Sequence, residues 1–436
     1  MTRTSVAPLA QADSTAPTPP EQPLAERLFP REPGAAIDVA HATLAAPLRP
    51  GAEQSVLDIT EFFGETSGGI RTYLLQKAAY VQARPGLRQV LVVPGAADAV
   101  TEVEGVRSYR LRGAPIPGQA PYRLMLGRRA VRRVIAHERP QVIEVGSAFT
   151  VPWLVREIAR RTATPLVHFY HSNVPRLFSP APERDGLVRQ LAAQGAWGYA
   201  RLLDRMFAMT VATSQFSVDE LTANGIDRVA RVPLGVDLAT FTPLRRASRD
   251  ATRLRNGLPL DRPLLGFVGR FAMEKEFPVL MEAWRQIERR TDAWLVLIGD
   301  GPQRRELEAF ARGRRVTVLP FQSTRDALAD LHAALDLYVA PCSVETFGLS
   351  SLESLASGTP LLAANRGGVS EQVTASGAGR LFESGAGASL AEEAITLLGM
   401  GGAALGARGR AYCEREHAWS KVFDRLFDVY RGLRPA

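Results

Sequence analysis

The chain has 436 residues, 46% of them hydrophobic and 7% aromatic, which is enough for two domains of ordinary size with their own cores. Its net charge of +8 excludes little by itself: of 53 basic residues only Lys77, Lys275 and Lys421 are lysines, an arginine skew of the kind a GC-rich genome produces, and the aromatic-interleaved basic strands or zinc patterns of nucleic-acid modules are missing. No apolar run approaches the roughly 20 residues that span a bilayer, the start lacks a signal-peptide core, and Cys342 and Cys413 form neither a metal pattern nor a disulfide framework, so a cytoplasmic location is expected.

Residues 1–50 are rich in Pro, Ala and polar residues without a sustained apolar period, and a disordered or loosely attached extension is expected there. The pattern changes at Val56. Residues 55–60 read as a strand, 64–69 as a loop and 70–83 as a helix with apolar residues at helical spacing. Strands are expected at 89–93, 142–145, 165–170, 209–212 and 229–233, most of them separated by helix-like segments, the alternation of a parallel sheet covered on both faces. An Arg-rich polar linker, 245–261, leads to a second cycle with strands at 264–268, 294–298, 316–319, 335–340 and 360–363. The stretch 417–430 again has apolar residues at helical spacing. Two successive doubly wound units imply two Rossmann-like domains, with ligands at the carboxyl ends of strands and hence in a cleft between the domains.

The loops at those strand ends carry the chemistry. Glu345-Thr-Phe-Gly-Leu-Ser-Ser-Leu-Glu353 follows an apolar run and starts a helix near Gly348, so free backbone N–H groups face the loop and suit a phosphate. Carboxylates repel phosphate, and Glu345 and Glu353 therefore suit hydroxyls at the two ends of a ligand with phosphates in its middle, a nucleotide sugar. Taken alone, the stretch is equally compatible with an ordinary strand-to-helix turn bearing two solvated glutamates.

Arg270 and Lys275, five positions apart, flank the turn at Gly269 and form a candidate diphosphate clamp, arginine binding in a bidentate way and lysine as a point charge. Gly299-Asp300-Gly301 ends the next strand; it is either a tight turn or, beside a nucleotide, a wall of the base or ribose pocket. Thr66-Ser67-Gly68-Gly69 precedes the first helix, so the N–H groups near Gly68 and Gly69 can meet a phosphate from the opposite side. His171 closes the strand 165–170 and is either a structural hydrogen bonder or a group facing the cleft; His168, within the strand, is the weaker candidate. Gly367, Gly368 and Glu371 make the last cleft loop.

This ordered set resembles the family 4 retaining glycosyltransferases of GT-B fold. Pro233-Leu-Gly-Val-Asp237 with Phe241 and Pro243 is similar to that family's segment before the interdomain linker, and the likeness runs from about Val56 to Leu433. The resemblance implies an α/β, GT-B architecture of two Rossmann-like doubly wound domains facing an inter-domain cleft. It places an acceptor domain at 51–243, a nucleotide-sugar donor domain at 244–415 and a C-terminal helix at 416–436 that crosses back to the first domain. The implied activity moves a hexose from a UDP- or GDP-linked sugar to a lipid, lipid-linked or glycan hydroxyl, with retention and without a metal or other cofactor. Under it, Arg270 and Lys275 neutralise the departing diphosphate, helped by amides at Phe347, Gly348 and Leu349. Glu353 accepts from the ribose, Glu345 holds hydroxyls of the transferred sugar, and His171 sits near the reacting face.

The acceptor side is less determinate. The turn-rich segment 115–126 leads into Arg128, Arg129, Arg132 and Arg133, pairs spaced i and i+4 on one helix face. That face is either solvated or set against an anionic membrane, so peripheral contact at the inner face of the plasma membrane is a further expectation. Two other classes share the clamp: a sugar-nucleotide epimerase of GT-B-like fold, which needs acid/base carboxylates around the sugar, and a noncatalytic nucleotide-sugar binding protein, which has no need of His171 or Glu345. A glycoside hydrolase would use carboxylates about 5–10 Å apart and leave the cations idle.

Overall fold

Strands buried on both faces read as near-continuous apolar runs, and the computed structural model assembles those runs into two sheets. It describes residues 23–30, 38–46, 51–64, 68–117, 122–171, 173 and 187–433. The first sheet contains β1 (Gln54–Ile59), β2 (Leu87–Gly95), β3 (Ala99–Val103), β4 (Val106–Pro115), β5 (Arg123–Met125), β6 (Val142–Val145), β7 (Leu166–Tyr170), β8 (Met209–Ala212) and β9 (Val229–Arg231). Their order is β3-β4-β2-β1-β6-β7-β8-β9, with β5 paired to β4; β3 and β5 run antiparallel to β4 and the other pairs are parallel. The second sheet, β10 (Leu264–Val268), β11 (Trp294–Ile298), β12 (Val316–Leu319), β13 (Leu337–Ala340), β14 (Leu361–Ala364) and β15 (Gly379–Phe382), has the order β12-β11-β10-β13-β14-β15 and is parallel throughout.

Strands β3, β4, β5 and β15 were not expected from the sequence. In β4 arginines interrupt the apolar positions and mask them, and the buried Arg107 has two partners: Glu102, opposite it on β3 at 2.6 Å, and the distant, fully buried Glu138, which accepts from Arg107 and Tyr109, each at 2.5 Å. Glu104 and Gly105, with φ of 43° and 89°, make the two-residue turn joining β3 to β4, since a hairpin of that length needs positive φ at both positions.

Two other segments are more ordered than their composition suggests. Within the expected loose extension, Leu28 and Val39 are fully buried, and the Ala46 carbonyl accepts from Arg107 at 2.8 Å. The Arg-rich linker folds as a 3₁₀ turn, Pro243–Ser248, and a helix, Arg249–Arg255. Its charges are spent on the second domain: Arg245 pairs with Asp330 at 2.7 Å, while Arg249 and Arg253 share Asp336 at 3.1 and 2.8 Å.

The last helix, Trp419–Gly432, buries Trp419, Phe423, Phe427 and Tyr430, and packs on helix Gly69–Gln82 of the first domain. Between the two helices lies Lys77, fully buried. Its Nζ is 2.6 Å from Asp58, 3.2 Å from Glu144 and 2.8 Å from the Tyr430 hydroxyl. A charge so deeply buried persists only when paired and hydrogen-bonded, so this network ties the end of the chain to β1 and β6.

Candidate active site

Strand order in the second sheet reverses between β10 and β13, which leaves a crevice at their carboxyl ends. A cavity of about 710 Å³ occupies it. Gly269, Arg270, Lys275, Gly299, Asp300, Gly301, Glu345, Gly348, Leu349 and Glu353 line it from the second domain, and Gly68 and Gly69 close it from the first. Residues from four loops, far apart in sequence, thus meet around one space. Phe347 and His171 are not on its wall, and Thr66, Ser67 and Ser172 lie outside the described residues. Another cavity, about 890 Å³, opens at the amino ends of β13 and β14 beside Asp336 and Pro360, and none of the sequence-predicted site residues lines it.

The glycines set how closely the loops approach. A Cβ on Gly299 would stand 1.9 Å from the Gly269 carbonyl oxygen, and one on Gly301 would stand 2.4 Å from that of Phe271. Backbone bonds from Gly269 N–H to Ile298 and from Phe271 N–H to Asp300, 3.0 and 2.8 Å long, lock the two loops together. Gly348, at φ 84°, turns the chain into helix Leu349–Ala356, whose first N–H groups have no partner within the helix and face the loop. Phe347 is buried beneath this turn, and its carbonyl accepts from Gln372 at 2.7 Å.

The charges are arranged in two groups. Lys275 Nζ forms an ion pair with the Glu345 carboxylate. Burial alone would lower the lysine pKa, but Glu345 outweighs it and holds the ammonium above its usual range. Arg270 is exposed at the cavity edge and makes no ion pair among the described residues. Deeper in, Glu353 is buried and accepts from Arg325 at 3.1 Å; burial raises its pKa and Arg325 opposes the rise.

His171 ends β7, its ring stacked on Phe169 with centroids 4.2 Å apart and meeting the edge of Tyr73 at 5.1 Å. Burial, with His168 and Lys77 adding to it, pushes the imidazole down to about 3, so it is neutral near pH 7. Its carbonyl accepts from Thr346 of the other domain at 3.2 Å. Glu371, expected in a cleft loop, accepts from the N–H groups of Gln215 and Phe216, at 2.9 and 2.6 Å, at the start of helix Gln215–Ala223. It bridges the domains at a helix N-terminus, where the dipole favours an anion.

Thr72, Tyr122, Phe321, Gln322 and Arg325 also line the cavity and were missed. Phe321 and Gln322 follow β12, so the rule that ligands gather at strand carboxyl ends applied to them too. Arg325 starts helix Arg325–Ala334 and carried no such signal, because only the fold brings it to Glu353.

Two domains of parallel sheet closing on one another over a switch-point cavity give this protein the GT-B fold, and the enzyme class it represents is glycosyltransferase. Residues 67–240 match Glycosyltransferase Family 4 and residues 248–407 match Glycosyl transferases group 1; the chain belongs to this family. It is 33% identical over 323 residues to a GDP-mannose-dependent alpha-(1-6)-phosphatidylinositol dimannoside mannosyltransferase of Mycobacterium tuberculosis, covering 73% of this chain and 82% of the relative. A D-inositol 3-phosphate glycosyltransferase of Xylanimonas cellulosilytica is 30% identical over 394 residues, covering 84% and 91%. Among solved structures, a sucrose-phosphate synthase of Thermosynechococcus elongatus superposes with a TM-score of 0.71 over 87% of this chain and 99% of its own, at 21% identity, a likeness of fold.

Proposed function

We propose that the protein transfers a hexose from a nucleotide sugar to a hydroxyl of a lipid, lipid-linked or glycan acceptor, retaining the anomeric configuration and using no metal ion. The observation that carries this reading is the convergence of Arg270, Lys275 and the start of helix Leu349–Ala356 on one cavity that also presents Glu345 and Glu353. In the proposed step the bond from the sugar C1 to the diphosphate oxygen breaks and the acceptor oxygen bonds to C1 on the same face. The acceptor's proton passes to the departing phosphate oxygen. Negative charge grows on the diphosphate as this happens, so the two cations and the helix amides bind the transition state more strongly than the donor. Glu353 and Glu345 hold hydroxyls of the ribose and the sugar, and neither acts as an acid or base.

GDP-mannose is the first donor to test, on the named activity of the mycobacterial relative, and UDP-sugars follow. A lipid acceptor is supported by the same relative and by the exposure of Leu126, Trp153 and Arg129. Arg133 is not part of such a face, since it donates to the Ala40 and Ala42 carbonyls. The inositol phosphate relative favours a second reading, a soluble polyol phosphate acceptor. The test is calorimetry and slow donor hydrolysis with GDP-, UDP- and ADP-sugars in EDTA, followed by transfer to phosphatidylinositol mannoside vesicles or to inositol phosphate. Absence of binding to any donor, or binding indifferent to Arg270→Ala and Lys275→Ala, overturns the proposal.

A further inference from the structure

Arg325 is the first residue of its helix, yet its guanidinium serves the cleft. Nη2 donates to Glu353 at 3.1 Å, Nη1 lies 3.5 Å from the Thr72 hydroxyl of the opposite domain, and the group rests over the Phe241 ring at 4.8 Å. Its Nε is buried and has no hydrogen-bond partner among the described residues. Glu353 is only 4% exposed, so whatever neutralises it must be close.

The other groups around that carboxylate supply no positive charge. His332 Nε2 is 3.8 Å from Glu353, but the ring is fully buried and its pKa is pushed down to about 3, by burial first and by Arg325 second. Asp237 is an anion and disfavours a second one nearby. Among the described residues Arg325 is therefore the single cation paired with Glu353. This matters because only the ionised carboxylate offers two full acceptors to a pair of neighbouring hydroxyls; the neutral acid must spend one oxygen as a donor.

We propose that Arg325 is a positioning residue for the donor: it keeps Glu353 a carboxylate aimed into the cavity and links that ion pair across the cleft to Thr72. This rests on the donor reading of the cavity given above. Without Arg325, burial and Asp237 act on Glu353 unopposed, and the acid takes up its proton at a higher pH. Donor binding then becomes dependent on pH where it was not before.

The experiment is calorimetry with GDP, UDP and ADP as probes on the full chain from pH 5.5 to 8.5. The quantity read is the ratio of variant Kd to wild-type Kd at each pH, which cancels the titration of the nucleotide's own phosphate. For Arg325→Ala the expected ratio is about tenfold greater at the acid end than at the alkaline end, one pKa unit of differential interaction being a factor of ten. Arg325→Gln, which keeps the packing on Phe241, is to show the same slope should the alanine variant fold poorly. Arg325→Lys is to restore a flat ratio, and Glu353→Gln is to weaken binding equally at every pH. A flat ratio for both neutral variants, whether near one or large, overturns the proposal and leaves the donor reading standing. Failure of the wild-type protein to bind any of the three nucleotides overturns both.

Discussion

Lys275 and Glu345, seventy positions apart in the chain, form an ion pair across two loops that line the switch-point cavity. Each neutralises the other, so under the proposed function an arriving diphosphate competes with a carboxylate for the ammonium. Lys275→Ala is expected to lower kcat by about 10²–10³-fold, the scale of losing one preorganised group at a developing charge. Glu345→Gln is expected to separate two properties: a nucleoside diphosphate alone binds more tightly because Lys275 is released, while sugar transfer falls. Titration with the diphosphate and steady-state transfer assays read the two effects; weaker diphosphate binding by the glutamine variant would contradict the competition.

The two glycine loops predict an asymmetry of stability. Gly299→Ala places a Cβ within 1.9 Å of a carbonyl oxygen at φ 150° and is expected to cost about 2–4 kcal/mol. Gly195→Ala, in helix Leu187–Asp204 with nothing among the described residues within 4 Å, is expected to stabilise by about 0.5–1 kcal/mol through helix propensity. Urea unfolding of both variants checks the pair.

The buried network at Lys77 predicts a linkage between pH and stability. Burial raises the Glu144 carboxyl to about 7, with Lys77 opposing the rise. The folded-state value then exceeds the unfolded one of about 4.3, so the folded protein holds the extra proton between those values. The stability from this group is complete below the lower value and is lost as pH rises through the higher one. Relative to Glu144→Gln, the wild-type protein is therefore expected to lose stability between pH 5 and 8, which thermal melts across that range measure. Lys77→Met, which strands two carboxylates, is expected to cost about 3–5 kcal/mol.

His171 predicts a negative result in a pH profile. Its imidazole, held down to about 3, is neutral throughout the range of an ordinary assay and does not titrate there. His171→Gln is expected to leave the shape of the kcat profile from pH 5 to 8 unchanged. Loss of a titration in that window on substitution would show that the ring shuttles a proton after all.

Much of the second domain was legible because its strands are buried on both faces and so written as unbroken apolar runs; β10, β11 and β12 fall where periodicity places them. That the glycine and cation loops meet at one cavity was legible for a related reason, since each follows a strand at its carboxyl end, as Gly269, Arg270 and Lys275 follow β10. The β3–β4 hairpin was not, because its charged positions break the apolar run, and Arg107 is buried only once Glu138, 31 positions away, joins Glu102 in pairing with it. Lys77 was hidden in the same way: a lysine on an apolar helix face looks like surface until Asp58, Glu144 and Tyr430 are brought around it.

The sequence by itself determined most of the parallel strands of the two sheets, the family, and which loops carry glycines and charges, because those depend on patterns a few residues long. The tertiary structure alone decided which charges are spent on one another: Lys275 on Glu345, Arg325 on Glu353, and Lys77 on a network that holds the last helix. Such pairings depend on distance and burial between segments that the chain order keeps apart. An ion pair's strength is set by the medium it lies in, and only the folded protein defines that medium.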